Sequence, residues 1–161
     1  MKEKNYILFT TLIAAWLVAG TLDFTAAVTQ TIIMGRDPLK MLQYISSGLF
    51  GKDAFAGGIT YSILGIILHY FIAFIWTVLF FMVYPKIEWL SKNWVVTGIL
   101  YGSFVWLIMN KIVVPLSRIP GGSFNLKNAL IGLTIIIVAI GLPLSLMANR
   151  YYKNKRESQY D

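Results

Sequence analysis

The stretch Trp94–Arg118 reads WVVTGILYGSFVWLIMNKIVVPLSR, and it decides the fold class. It is apolar and long enough to cross a lipid bilayer, which takes about 20 residues of helix. Every fourth residue falls on one face of that helix, and this face carries Gly98, Gly102, Trp106 and Asn110. Small residues let membrane helices approach closely, and a buried amide needs a hydrogen-bonding partner. We therefore predict a spanning helix whose polar end faces the interior of a helix bundle.

The composition indicates that a membrane is the main solvent of this chain. Hydrophobic residues make up 57% of the 161 residues and charged residues 13%, whereas soluble domains carry about 25% charged residues. The formal net charge of +7 comes from basic residues that flank apolar segments. They indicate membrane topology and contact with anionic headgroups, so we expect a lipid bilayer and no nucleic acid as partner.

Four segments have the length and hydropathy of membrane spans, and we predict them at about 6–29, 61–84, 94–114 and 128–147. Pro85 and Pro115 are expected to end the second and third spans, and Pro143 is expected to kink the fourth. The predicted fold is an all-α integral membrane protein, a four-transmembrane-helix bundle formed as a single domain over 1–161. A basic C-terminal tail is predicted at 150–161.

An additional helix is predicted between the first two spans. Asp37 has the residue type of an N-cap, and Pro38 suits the first helical position. The helix is predicted over about 38–47, with Gly48 as its stop. Its apolar residues fit a helix that lies in the membrane interface or folds over the bundle.

An even number of spans places both termini on one side of the membrane. That side carries eight lysines and arginines, and the other side carries the remaining six of the 14. The densest basic block, RYYKNKR, follows the last span directly. The positive-inside rule therefore predicts that both termini are cytoplasmic.

Polar residues interrupt three of the four spans at a similar depth. Asp23 lies in the first span, His69 in the second, and Asn110 with Lys111 near the end of the third. At a rise of about 1.5 Å per residue, Asp23, His69 and Asn110 lie about 5 to 9 Å outward of the membrane midplane, in one leaflet. Each shares a helical face with small residues, so we expect these three side chains to point inward and to meet, directly or through one water.

Two interpretations of this polar cluster stay open. Asp23, His69 and Asn110 fit hydrogen-bonded contacts that hold helices together, which is the interpretation that we favour. They also fit a polar chamber in a small oligomeric transporter or channel for a proton, an ion or a polar solute. Lys111 is expected to extend its ammonium group to the interface.

The loop before the fourth span offers a second candidate site. Gly121, Gly122 and Ser123 precede a helix start, and Arg118 and Lys127 flank them, so a lipid headgroup or another anion fits there. A plain turn with Asn125 as N-cap explains the loop as well and is favoured, because the spacing of a full phosphate-binding loop is missing.

Signatures of enzymes and cofactor sites are sparse in this sequence. The single histidine and the lack of cysteine argue against zinc and against thiolate chemistry. No serine has the context of a nucleophile elbow. We expect no catalytic residues, no cofactor and no metal.

Four short segments carry a resemblance to a widespread group of uncharacterised bacterial four-span membrane proteins: Thr21-Leu22-Asp23, Leu42–Gly48, Met109–Ser117 and Phe124–Gly132. More loosely, 69–120 resembles the YagU-like small inner-membrane proteins of bacteria. The resemblance implies a four-helix protein of the bacterial cytoplasmic (inner) membrane and implies no particular activity. We expect a structural or accessory membrane component whose partner is a second copy or another membrane protein.

Overall fold

The computed structural model describes the backbone of residues 2–120 and 125–157, and the side chains of 6–120 and 125–155. These residues form helices and turns without strands. Helix α1 is Lys2–Ile33, α2 is Pro38–Phe50 and α3 is Gly58–Val83. Helix α4 begins as Trp94–Ile108 and continues through a π turn, Met109–Val113, to Val114–Leu116. Helix α5 combines Leu126–Ile136, a second π turn at Ile137–Gly141, and Leu142–Glu157.

Four of these helices are long and apolar enough to cross a membrane: Tyr6–Ile33, Gly58–Lys86, Trp94–Leu116 and Leu126–Lys155. The predicted fold class, an all-α four-helix bundle with an additional helix after the first span, is confirmed. The fourth helix continues ten residues past its predicted end at 147 and reaches Glu157. Most of the predicted tail is therefore helical, because its polar residues form helix well although they are too polar to span.

Both internal prolines follow a π turn at the same spacing. Met109–Val113 precedes Pro115, and Ile137–Gly141 precedes Pro143. A proline in a regular helix clashes with the carbonyl four residues earlier, and a wider turn relieves that clash. The third span ends at Leu116, two residues past its predicted end at 114, and Ser117 is extended.

Helix α2 begins as predicted and ends later. Asp37 caps it by accepting a hydrogen bond from the Leu39 backbone N–H at 2.8 Å, and Pro38 is the first helical residue. Gly48 does not stop the helix. The stop is Gly51, which has φ +64° and donates its N–H to the Ser47 carbonyl. Glycine reaches this left-handed conformation without strain, and so ends helices well.

Helix α2 folds onto α3 rather than lying apart from the bundle. A Cβ at Gly65 would overlap the Leu42 carbonyl, so the two backbones touch where the helices cross. The Ser62 hydroxyl donates to the Leu39 carbonyl at 3.2 Å across the same contact. Behind α2, the Arg118 backbone N–H donates to the carbonyl of Gly48 at 3.0 Å, which ties the loop after α4 to this helix.

Helices α4 and α5 pack through the glycine face that the sequence indicated. A Cβ at Gly98 would lie 2.9 Å from the Leu142 Cα, and one at Gly102 would lie 2.6 Å from the Ile137 Cα. From the other side, a Cβ at Gly141 would overlap the Gly98 carbonyl. The absence of side chains is what allows this backbone contact.

The tightly packed core lies toward the end of the bundle that holds both termini. Its buried residues come from α1, the end of α3 and the second half of α5: Ala15, Ala19, Phe80, Phe81, Tyr84, Ile140, Leu144 and Ala148. At the other end, the segment Leu126–Ile136 contributes no buried residue. The candidate polar residues lie nearer this end, where α2 packs on α3.

Candidate functional site

The contact between α1 and α3 is built around Gly20. A Cβ there would lie 3.2 Å from the Tyr70 ring, so the glycine makes room for a large side chain. The Nε2 atom of His69 lies 3.0 Å from the Gly20 carbonyl oxygen. One turn earlier on α1, the indole N–H of Trp16 donates to the Tyr70 carbonyl at 2.8 Å. One side chain of α3 thus donates a hydrogen bond to α1, and one side chain of α1 donates a hydrogen bond to α3.

The hydrogen bond of His69 fixes its tautomer. A carbonyl oxygen only accepts hydrogen bonds, so the hydrogen must be on Nε2 of His69. The other nitrogen, Nδ1, is then an acceptor in the neutral ring and a donor in the charged ring. The bond to Gly20 persists in both forms.

Asp23 on α1 lies close enough to His69 on α3 for the charge of one to influence the other. The Asp23 side chain is half-buried, and its carboxylate makes no hydrogen bond to the described residues. No fully buried polar side-chain atom among those residues lacks a partner. The carboxylate oxygens of Asp23 therefore border accessible space.

Aromatic rings enclose the imidazole on two sides. The centroids of His69 and Phe24 are 5.4 Å apart, and those of His69 and Tyr70 are 5.3 Å apart. The Tyr70 hydroxyl in turn lies 3.1 Å from the Thr21 hydroxyl on α1. The ring of His69 is held by packing as well as by its hydrogen bond.

Asn110 does not join Asp23 and His69. Its side chain is exposed, and its amide donates to the Trp106 carbonyl of its own helix at 2.9 Å. The prediction assumed a regular helix, but Asn110 lies in the π turn Met109–Val113. Even a regular helix turns by about 40° beyond a full circle in four residues, so the three steps from Gly98 to Asn110 already carry Asn110 well away from the Gly98 face. Lys111, in the same turn, is also exposed.

The loop predicted as an anion site is only partly described. Ser123 lies outside the described residues, which leave out 121–124. Arg118 and Lys127 are both exposed, on opposite sides of that gap. Asn125 caps α5 by accepting from the Asn128 backbone N–H at 3.0 Å, as the plain-turn interpretation expects.

A second polar cluster, at the end with the termini, was not found from the sequence. The Asn149 amide donates to the Tyr84 hydroxyl at 2.9 Å and to the Ser91 carbonyl at 3.3 Å. The Tyr152 hydroxyl donates to the Phe81 carbonyl at 2.9 Å. The available signal was the spacing of Asn149 and Tyr152, which places them on one helical face, but both lie beyond the predicted end of the fourth span.

The chemistry that these clusters support is hydrogen bonding and proton exchange. No three histidine, cysteine, aspartate or glutamate side chains come together in the described part of the chain. Asp23 and His69 together provide one carboxylate and one imidazole nitrogen, whereas a zinc site uses at least three protein ligands.

Comparison with protein-family models, with curated proteins and with solved structures finds no match to this chain.

Proposed function

We propose that this small membrane protein is a structural or accessory membrane component, in which the polar side chains of the spans hold helices together. The bond from His69 Nε2 to the Gly20 carbonyl carries the proposal, because it uses the single histidine of the chain to join α1 to α3. A helix carbonyl has a second lone pair, so it accepts this bond without losing its own.

The same arrangement recurs across the bundle and supports the proposal. The side chains that donate to a backbone carbonyl of a neighbouring helix or turn include, besides His69, those of Trp16, Tyr101, Ser145 and Tyr152. The hydrogen atoms that these groups donate are thereby engaged within the bundle. Interhelical hydrogen bonds in membranes stabilise by about 0.6 kcal/mol on average and about 1.7 kcal/mol at most, so five of them make a substantial contribution.

Two substitutions of His69 test this role. His69→Gln keeps an N–H donor that can reach Gly20, whereas His69→Leu removes the donor and keeps apolar volume. We expect His69→Leu to lower the free energy of unfolding in detergent by about 0.6 to 1.7 kcal/mol, and His69→Gln to lower it by less than half as much. Phe71→Leu, which changes an exposed ring on the same helix, is the matched control and should have little effect. Equal stability of wild type and His69→Leu would contradict the proposal.

A second candidate function is transport of a proton, an ion or a polar solute, and Asp23 favours it. Asp23 is the only acidic residue in the four spans, lies beside His69, and has carboxylate oxygens that border accessible space. A buried ionisable group inside a span is a common element of proton and ion pathways. In vesicles with an internal pH-sensitive dye, this function predicts a proton flux that Asp23→Asn abolishes. Wild-type vesicles without flux would remove this candidate.

We also propose that the chain lies in the bacterial cytoplasmic membrane with both termini in the cytoplasm. The excess of basic residues on the side of the termini supports this, together with the resemblance to the bacterial four-span group. The chain has no native cysteine, so single cysteines placed at Lys52 and Lys155 report accessibility cleanly. An impermeant reagent added outside intact cells should label position 52 only. Labelling at 155 alone would reverse the orientation.

An accessory role requires a partner, which we propose to be a second copy of this chain or another membrane protein. The fully buried polar side-chain atoms of the described residues all have partners within the chain, so such a partner would pack on the exposed apolar surface of the helices. Cross-linking in intact membranes should give a discrete adduct, and an exclusively monomeric protein at native abundance would contradict this part of the proposal.

A further inference from the structure

The turn between α1 and α2 is held by hydrogen bonds on both sides. The backbone N–H groups of Gly35 and Arg36 donate to carbonyls in the last turn of α1, at 2.9 and 3.0 Å. Gly35 has φ +67°, the left-handed conformation that ends helices with this pair of bonds. The next residue after Arg36 is Asp37, the N-cap of α2. Arg36 and Asp37 are therefore fixed between the end of one helix and the start of the next.

A cleft with a volume of about 830 Å³ opens at this turn. Its lining combines three charged residues, a tyrosine and two large apolar residues: Arg36, Asp37, Lys40, Tyr44, Met41 and Phe55. All of these side chains belong to the described part of the chain. A ligand in the cleft would meet two cations, one carboxylate and apolar surface side by side.

The charged groups of the cleft can receive a ligand. Asp37 uses one carboxylate oxygen for the cap bond to the Leu39 N–H, and its other oxygen accepts no hydrogen bond within the described part of the chain. Arg36 and Lys40 are exposed and form no ion pair with any described residue. The gap at 121–124 consists of two glycines, a serine and a phenylalanine, so it adds no charge at this end of the bundle.

The cleft lies where lipid headgroups meet the protein, on the side away from the termini. The first membrane-spanning segment ends at Ile33, which is exposed, and Arg36 follows three residues later. Tyr44 is exposed as well, and tyrosine is enriched at the level of the headgroups. Burial raises the pKa of the Tyr44 hydroxyl, so this group stays protonated and can donate to a phosphate oxygen.

This set of groups matches a headgroup that carries both signs of charge. A guanidinium group binds phosphate through two parallel hydrogen bonds, and an ammonium group adds a point charge. A phosphate bound alone would lie close to the carboxylate of Asp37, which repels it. A headgroup with a primary ammonium of its own would donate to Asp37 instead, so that the carboxylate and both cations are all paired.

We propose that the cleft binds a phospholipid whose headgroup carries a phosphate and a primary ammonium, as phosphatidylethanolamine does. The phosphate contacts Arg36 and Lys40, and the ammonium donates to Asp37. An acyl chain extends along Ile32 and Ile33, which are exposed on α1. The soluble compound glycerophosphoethanolamine has the same polar groups, but the apolar surface beside the cleft favours the lipid.

Native mass spectrometry of the full chain in a neutral detergent tests this site. The probes are phosphatidylethanolamine and phosphatidylcholine with identical acyl chains, which have the same net charge and differ in the N–H donors of the headgroup. We expect one phosphatidylethanolamine per chain to be bound in preference to phosphatidylcholine. Asp37→Asn keeps an oxygen for the cap of α2 and removes the charge, so it should lose about 2- to 5-fold of this preference, as for one exposed ion pair.

The cations are tested separately, because both lipids carry the phosphate. Arg36→Gln/Lys40→Gln should weaken the binding of both lipids by about 4- to 25-fold, the product of two such pairs. Two control variants change exposed charges at the same end of the bundle, Asp53→Asn and Lys52→Gln/Lys127→Gln. Both controls should bind the two lipids as the wild type does.

Several outcomes would each overturn the proposal. They are equal binding of the two lipids, an equal effect of Asp37→Asn and Asp53→Asn, and an equal loss in the two double variants. Displacement of the lipid by an equal concentration of glycerophosphoethanolamine would show that a soluble headgroup is sufficient. Tighter binding of phosphatidylglycerol that Asp37→Asn leaves unchanged would show a plain anion site in which the carboxylate has no part.

Discussion

Substitution of Gly102 by alanine tests the packing of α4 against α5. A Cβ at this position would lie 2.6 Å from the Cα of Ile137, which belongs to the backbone of α5. Carbon atoms in contact are about 3.5 to 4.0 Å apart, so α4 must withdraw by about 1 Å. Neither atom lies at the end of a flexible side chain that could rotate away. The misfit therefore has to be taken up by the helices themselves.

The expected magnitude follows from two opposing effects. Overpacking of a well-packed contact costs about 1 to 3 kcal/mol, whereas alanine in a helix is favoured over glycine by up to about 1 kcal/mol. We expect Gly102→Ala to lower the free energy of unfolding by about 1 to 2 kcal/mol. Gly132→Ala is the matched control, because its Cβ would come no closer than 3.4 Å to any neighbour, there the Trp106 ring nitrogen. It should leave the stability unchanged or raise it.

The measurement is the unfolding of both variants in mixed micelles with rising dodecyl sulfate, followed by tryptophan fluorescence. The two variants make the same chemical change in spanning helices, so their difference isolates the steric overlap. We expect that difference to be about 2 kcal/mol in the free energy of unfolding. Identical unfolding curves for Gly102→Ala and Gly132→Ala would refute the close backbone contact between α4 and α5.

Two further substitutions test individual hydrogen bonds. Asp37→Ala removes the N-cap of α2 and should lower the free energy of unfolding by about 1 kcal/mol. The control is Asp53→Ala, which changes an exposed acidic residue just beyond α2 and should have little effect. The same unfolding assay compares the two variants, and equal effects would contradict the capping role of Asp37. Tyr101→Phe removes only the hydroxyl that donates to the Trp76 carbonyl and should cost about 0.6 to 1.7 kcal/mol, so unchanged stability would show that this bond does not hold α4 to α3.

The faces of regular helices could be predicted from the sequence. Gly98 and Gly102 indicated a close helix contact, since residues four apart share a face in any α-helix. The partner was not predictable, because α5 offers both Gly132 and Gly141 and the chain order does not say which one meets Gly98. Only the packed helices place Gly141 there.

The candidate site was likewise predictable only where its residues lie in regular helix. Asp23 and His69 lie in regular stretches of α1 and α3, so the rise per residue and the small faces were enough to predict that they lie on facing helices at a similar depth. Asn110 was misplaced because residues four apart drift round a regular helix by about 40° per step, so a face shared by neighbours is not shared by residues 12 apart. Asn149 was missed because hydropathy ends the fourth span near Met147, whereas the helix continues beyond the apolar segment.

The most direct measurement of the central claim is nitrogen magnetic resonance of His69 in lipid bilayers. The chain has a single histidine, and Gly20-Thr21 is its only Gly-Thr pair, so labelling identifies both sides of the contact uniquely. We predict that Nε2 of His69 carries a hydrogen that exchanges slowly with water, and that magnetisation passes from Nε2 to the Gly20 carbonyl carbon. An Nε2 without hydrogen, or one that exchanges freely with water and shows no transfer to Gly20, would contradict the role of His69 in joining α1 to α3.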